Sequence, residues 1–185
     1  NTGGMGAYSP SNLLTNKLER KIKNKIIEPT LKAMENLGYP FKGFLYAGLM
    51  ISEGEPFLIE YNIRMGDPEC QVLMMRLKTD LLKILEAVAA DNLKKINIEW
   101  YKEDSITIVI CAKGYPGSYI KNSEIKNLNK IKMDENNQIF HAGTFEKNNK
   151  IFSKGGRVLN FVAKEKKLIS ARNRCLTNID KLNWK

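Results

Sequence analysis

Apolar side chains recur at a helical period from about Asn16 to Leu37, at Leu18, Ile22, Ile26, Met34 and Leu37, which predicts one long amphipathic helix. Asn16 followed by Glu19 fits an N-terminal capping pattern. Pro29 must kink that helix or begin its second half, because it lacks the N–H that a helix interior uses. Gly38-Tyr39-Pro40 stops it. Gly43 to Ile51 is then a near-continuous run of apolar and small residues, which reads as a strand buried on both faces. Ser52-Glu53-Gly54-Glu55-Pro56 is a turn, and Phe57 to Arg64 returns as the second strand of an antiparallel hairpin. Gly66-Asp67-Pro68-Glu69 leads into a helix, with Asp67 as its N-cap and Pro68 at its first position. Asp80 to Asn92 reads as a further helix.

Asn92 to Glu103 is polar and charged around Trp100, and marks a boundary. Beyond it the pattern predicts strands at Ser105 to Cys111, Ile139 to His141, Ile151-Phe152 and Arg157 to Val162, with a closing helix from Leu168 to Asn178. No internal repeat is visible. The expected class is α+β, divided into residues 1–98 and a smaller, mostly-β unit at 99–185.

The returning strand carries the most chemistry. Its alternation places Glu60, Asn62 and Arg64 on one face and Ile59, Tyr61 and Ile63 on the other. Residues two apart on a strand lie about 6.6–6.8 Å apart along its axis. A carboxylate and an amide oxygen at that spacing can bend toward one hard cation, and a guanidinium beside them can hold an anion. Asn is a poor strand former, so its place between Glu and Arg is better explained if its oxygen has a task. An ordinary solvated strand face is the alternative.

Composition narrows the field. The 185 residues are 43% hydrophobic and 27% charged, the balance of a globular protein. No apolar run approaches the ~20 residues a membrane helix needs. The three cysteines, Cys70, Cys111 and Cys175, are far apart and form no CxxC pair, which argues against a zinc site or disulfide framework and suits a reducing cytoplasm. The net charge of +10 invites a nucleic-acid reading. The lysines are scattered, however, and no RNA-recognition signature accompanies them, so a solvated basic surface is expected instead.

Other residues stay open at this level. In Thr2-Gly3-Gly4-Met5-Gly6 the glycines could let backbone N–H groups approach an anionic ligand, or could form a tight turn. No Gly-Lys-Ser/Thr follows, so it is not a Walker A loop. Asp67 and Glu69 could contact a substrate amine, although an N-cap already gives Asp67 a structural reason to exist. His141, the sole histidine, is expected in the core or at its rim. Arg157, after Gly155-Gly156, could meet a phosphate or water, and sequence does not choose.

Taken in order, the motifs resemble one family. They are Asn1-Thr2-Gly3-Gly4-Met5-Gly6-Ala7-Tyr8-Ser9-Pro10, Gly43-Phe44-Leu45-Tyr46-Ala47-Gly48-Leu49-Met50, Glu60-Tyr61-Asn62-Ile63-Arg64-Met65-Gly66-Asp67-Pro68-Glu69 and Arg76-Leu77-Lys78-Thr79-Asp80-Leu81. Ala112-Lys113-Gly114-Tyr115-Pro116-Gly117, Phe140-His141-Ala142-Gly143-Thr144 and Gly155-Gly156-Arg157-Val158-Leu159 continue the series. Together they resemble phosphoribosylamine–glycine ligase, also called glycinamide ribonucleotide synthetase, over nearly the whole chain. The resemblance implies the second lobe of an ATP-grasp domain, an antiparallel sheet with helices, followed by a small mostly-β carboxy-terminal domain. It implies a cytoplasmic enzyme of purine biosynthesis that joins 5-phosphoribosylamine and glycine and splits ATP. It assigns Glu60 and Asn62 to magnesium, or manganese, beneath the ATP phosphates. Arg64 is then the candidate to stabilise the acyl phosphate, and Thr2, Gly3, Gly4, Met5, Gly6 and Asp67 border the substrates.

The family usually has Phe at the position of Tyr61, Phe at Met65 and Thr at Cys70. Many ATP-grasp enzymes carry another metal carboxylate on the preceding strand, and Gly43 to Ile51 offers none. The glycine-rich start, with no element before it, leads to the expectation of a fragment. The family's substrate domain and first ATP-grasp lobe, its missing amino-terminal half, would precede Asn1, and the piece alone is expected to be inactive. Another ATP-grasp carboxylate–amine ligase, or a non-catalytic basic module that keeps the fold, are the competing readings.

Overall fold

The structure, a computed structural model, describes residues 3–184. In chain order its elements are β1 (Gly6–Ser9), α1 (Asn16–Ile22), a π-helical turn (Lys23–Ile27), α2 (Glu28–Asn36), β2 (Tyr46–Ser52), β3 (Glu55–Asn62), α3 (Glu69–Arg76) and α4 (Leu81–Ala89). Then come β4 (Asp104–Cys111), β5 (Glu124–Ile125), β6 (Asn137–His141), β7 (Thr144–Lys147), β8 (Lys150–Ser153), β9 (Arg157–Glu165) and α5 (Leu168–Ile179). They pack as two compact units that interleave in sequence. A sheet unit contains residues 3–9, 67–77 and 100–184, and a hairpin unit contains 10–66 and 78–99. Packing therefore does not follow the contiguous division at 98/99.

In the sheet unit, β1, β4, β9 and β6 form an antiparallel sheet in that order, and β5, β8 and β7 form a smaller one. β9 is central and buried from Val158 to Lys164. Its alternate residues Leu159, Phe161 and Ala163 pack with Ala171 and Cys175 of α5, while Val162 packs with Val72 and Met75 of α3. Helices thus cover both faces of the strand. Each fully buried large side chain contributes about 1.5–3 kcal/mol. The sequence pattern gives no strand at β1. It pairs with β4 from Gly6 opposite Ile108 to Ser9 opposite Ser105. A Cβ on Gly6 would stand 2.9 Å from the Thr107 carbonyl oxygen, so a glycine permits that pairing. β7, also unpredicted, turns into β8 through Asn148 and Asn149, whose φ values of 52° and 57° are of the kind Asn tolerates.

In the hairpin unit the predicted long helix is present with two differences. Its N-cap is Thr15, whose Oγ1 accepts from the Leu18 N–H at 3.2 Å, one residue before the expected Asn16. Ahead of Pro29 the helix widens into the π-helical turn, where the Glu28 N–H bonds the Lys23 carbonyl. Proline cannot return the bond that its i−4 carbonyl would accept, and the wider turn falls where that bond is lost. α4 begins as predicted at Asp80, whose Oδ1 accepts from Leu82 N at 2.8 Å and Lys83 N at 3.3 Å. β2 and β3 pair as an antiparallel hairpin. β2 is not buried on both faces as its composition suggests: it has one partner strand, and Met50 is 56% exposed.

Candidate functional site

The hairpin unit brings together the three polar residues singled out on the returning strand. Asn62 Nδ2 donates to Glu60 Oε1 at 3.0 Å, and Arg64 Nη2 donates to Asn62 Oδ1 at 3.3 Å. β3 ends at Asn62, and Arg64, just beyond it, is steadied by donating from Nη1 to the Met65 carbonyl at 2.9 Å. The amide thus bridges an anion and a cation. On the opposite face Tyr61 fastens the strand to the helix: its hydroxyl lies 2.7 Å from Thr30 Oγ1 and donates to the Ile26 carbonyl at 3.2 Å.

Two features of this face are invisible in the alternation of the sequence. Gly48 pairs with Glu60, and a Cβ there would stand 3.2 Å from Glu60 Cγ, so the glycine leaves the carboxylate its room. The pairing then skips Ile59, since Gly48 opposes Glu60 and Leu49 opposes Leu58. This β-bulge reverses the alternation on β3. Met50 and Phe57, each 56% exposed, consequently share the face of Glu60 and Asn62. A glycine inside a strand is the one sequence signal that could have pointed to this close approach.

The donor set fits a magnesium-like ion. Carboxylate and amide oxygens are hard ligands, both side chains lie on an open face, and an amide offers its oxygen or its nitrogen after a half-turn about its last torsion. Among the described residues no group of three or more His, Cys, Asp or Glu could hold a metal. Any ion here would draw its remaining ligands from water and phosphate, as magnesium commonly does.

The sheet unit holds the second set. Thr2 lies outside the described residues, and Gly3 is exposed. Gly4 has φ +79°, and the Met5 carbonyl accepts from Val109 N at 3.1 Å, so the loop is tied to β4 before β1 begins at Gly6. Asp67 is not the helix cap its position suggests. α3 starts at Glu69 with no side-chain cap, and the Asp67 carboxylate turns instead to Arg157. Arg157 Nη2 donates to Asp67 Oδ2 at 2.9 Å, and its Nη1 donates to the carbonyls of Asp67 at 2.8 Å and Gly4 at 3.1 Å. The residue for which sequence offered no choice thus joins the glycine loop to the Asp67 turn. Burial, and after it the charge of Asp67, push the Cys70 thiol up; burial also raises Cys111, against the pull of Arg157. Neither is poised as a nucleophile. His141 is at the surface, with Nδ1 2.9 Å from Thr144 Oγ1.

Helices and antiparallel sheets in this arrangement define an α+β protein of the ATP-grasp class. Residues 1–70 match the model of the phosphoribosylglycinamide synthetase ATP-grasp (A) domain, and residues 105–185 match that of the same enzyme's C domain. The chain belongs to the phosphoribosylglycinamide synthetase family. It is 48% identical over 184 residues to the phosphoribosylamine–glycine ligase of Agrobacterium fabrum, an alignment covering 100% of this chain and 43% of that protein. It is 46% identical to the chloroplastic ligase of Arabidopsis thaliana, covering 100% of this chain and 35% of the relative. The crystal structure of the ligase from Thermotoga maritima superposes with a TM-score of 0.79 at 31% identity, over 100% of this chain and 45% of that one. A biotin carboxylase domain from Hydrogenobacter thermophilus, solved with MgADP and bicarbonate, shares the fold at a TM-score of 0.67 and 17% identity, over 98% of this chain and 39% of that one. The chain therefore spans less than half the length of these relatives. No described helix is long and apolar enough to cross a membrane.

Proposed function

We propose that this chain is part of an ATP-dependent ligase that joins 5-phosphoribosylamine to glycine, acting in the cytoplasm together with the amino-terminal half of the same enzyme. The observation that carries the reading is the contact between Glu60 and Asn62 on an open strand face of a family member. Glu60 and Asn62 Oδ1 would hold magnesium or manganese. The ion supplies neutralisation of charge on the transferring phosphoryl group. Met50 and Phe57 give the same face an apolar floor suited to the nucleoside of ATP. The γ-phosphoryl group passes to the glycine carboxylate and ADP leaves. The neutral amine of phosphoribosylamine then attacks the acyl carbon, phosphate departs, and the amine gives up a proton. Arg64, anchored by the Met65 carbonyl, offers its guanidinium to the acyl phosphate. The glycine loop and Asp67 border the substrates.

The test is ADP release by the full-length ligase containing this segment, with glycine and phosphoribosylamine supplied. Glu60→Gln should remove magnesium-dependent turnover by about 100-fold or more, the order of a lost electrostatic stabiliser, and leave the circular dichroism spectrum unchanged. Retained turnover in that variant overturns the metal reading. ADP release that ignores phosphoribosylamine would indicate a different carboxylate–amine ligase. The 185-residue chain alone should not turn over.

A further inference from the structure

Arg157 occupies a place in the sheet unit that its sequence neighbourhood does not explain. Its guanidinium makes three hydrogen bonds, two to Asp67 and one to Gly4, with 28% of the side chain exposed. The backbone beneath it is held from both sides. A Cβ on Gly156 would fall 2.1 Å from Tyr115 Cδ2, and one on Gly143 would fall 2.6 Å from the Arg157 carbonyl oxygen. The loop it grips is shaped to receive it. A Cβ on Gly4 would lie 2.1 Å from Arg157 Nη1, and its φ of +79° favours glycine in any case. Asp67, for its part, has no capping duty, is half exposed, and gives one oxygen to Arg157. Its other oxygen takes no hydrogen bond from a described residue.

We propose that Arg157 is a positioning residue for amino-acid binding: it locks the Gly4 loop to the Asp67 turn, and so aims the second Asp67 oxygen at the ammonium group of the amino-acid substrate. This rests on the ligase reading above and deepens it by assigning the group that receives glycine's nitrogen. The chemistry selects glycine over the other substrate. Phosphoribosylamine must attack as a neutral amine, so a carboxylate that keeps it protonated would stop the reaction. Glycine's own nitrogen must stay out of the reaction, and a carboxylate that holds it as ammonium does that. A planar guanidinium can satisfy three acceptors in a fixed fork, whereas a lysine ammonium cannot span the same set.

The experiment uses the full-length ligase and the variants Asp67→Asn, Arg157→Lys, Gly4→Ala and the Asp67→Asn/Arg157→Lys double. Asp67→Asn should raise the KM for glycine about tenfold or more, as loss of a charge-assisted hydrogen bond implies, with little change in the KM for ATP. Arg157→Lys and Gly4→Ala should raise the same KM, and the double variant should be no worse than Asp67→Asn alone, because both changes act through one carboxylate. Effects on the glycine KM that add would show Arg157 acting other than through Asp67, and a fall in kcat and Tm with that KM unmoved would show a latch with no part in binding; either overturns the proposal. A second measurement does not depend on turnover. In the 185-residue chain, Arg157→Lys should speed amide hydrogen exchange at residues 4–6 and 66–69 and leave α5 unchanged; equal exchange overturns the lock. A wild-type ligase that releases no ADP with glycine and phosphoribosylamine removes the ligase reading and the amine assignment with it, while the exchange result still decides the lock.

Discussion

Replacing Tyr61 with Phe removes a hydroxyl 2.7 Å from Thr30 Oγ1 and 3.2 Å from the Ile26 carbonyl it donates to. The aromatic ring, half-buried between strand and helix, stays. Thr30 Oγ1 itself donates to the Ile26 carbonyl at 2.8 Å, so that carbonyl remains paired in the variant and no buried group is orphaned. The two hydroxyls carry two protons for these three contacts, so the cost is the net worth of one neutral hydrogen bond, about 0.5–1.5 kcal/mol, rather than a full desolvation penalty. Urea unfolding of the 185-residue chain should show a loss of about 1 kcal/mol with an unchanged m-value. Thr30→Val should cost a similar amount, and the double variant should cost less than the sum, because both singles break the same contact. A Tyr61→Phe chain as stable as the parent, or single losses that simply add, would refute the assignment of this contact. The hydroxyl faces away from Glu60 and Asn62, so metal-dependent turnover of the full-length ligase should not change.

Hydrogen bonds from Lys21 and then Lys25 hold the Glu55 carboxyl at about 2, against an ordinary 4.5. A depressed folded value means that Glu55 adds stability above pH 4.5 and loses it as pH falls through about 2, so Glu55→Gln should flatten the acid limb of a plot of urea midpoint against pH; an unchanged limb would show the pairing to be worthless. Burial pushes the Cys175 thiol up to about 12. Iodoacetamide at pH near 8, read by mass spectrometry, should therefore leave Cys175 unmodified until the chain unfolds, and alkylation at the rate of a free thiol would contradict that. Asp80→Ala removes the N-cap of α4 and should cost about 1 kcal/mol in urea unfolding, with Asp80→Asn nearly neutral.

The polar face of the hairpin was legible because it depends on spacing along one strand. Glu60 and Asn62 share a side because no bulge falls between them, Arg64 just past the strand's end reaches Asn62, and family-like motifs point to the chemistry of that face. The alternation opens that strand at Phe57 but does not put Phe57 beside Glu60, because the bulge at Ile59 is set by pairing with β2, and register is not written in the alternation. The caps failed in a similar way. Asn16 and Asp67 are good cap residues by type, yet Thr15 and Pro68 occupy the N-cap positions. For Asp67 the competing partner is Arg157, and no local rule can weigh an ion pair formed across 90 residues. The interleaved units follow from the same limit: β1 and α3 join the sheet unit through contacts with β4 and β9 that lie far along the chain.

The two candidate sets therefore depend on the fold to different degrees. Glu60 and Asn62 are two residues apart, and the strand geometry that aligns them requires little beyond β3, its partner β2 and the Tyr61 anchor. Asp67 and Arg157 meet only if α3, β9 and the glycine loop are all seated, because each supplies one corner of the lock. Mild destabilisation of the sheet unit should accordingly loosen the second set before it disturbs the first. In the proposed ligase that ordering has a chemical counterpart: recognition of the amino acid should weaken at denaturant concentrations where the Glu60–Asn62 pair still forms. A glycine KM that rises in sub-denaturing urea ahead of the magnesium requirement would follow from it, and a simultaneous rise of both would mean that the two sets share one cooperative unit.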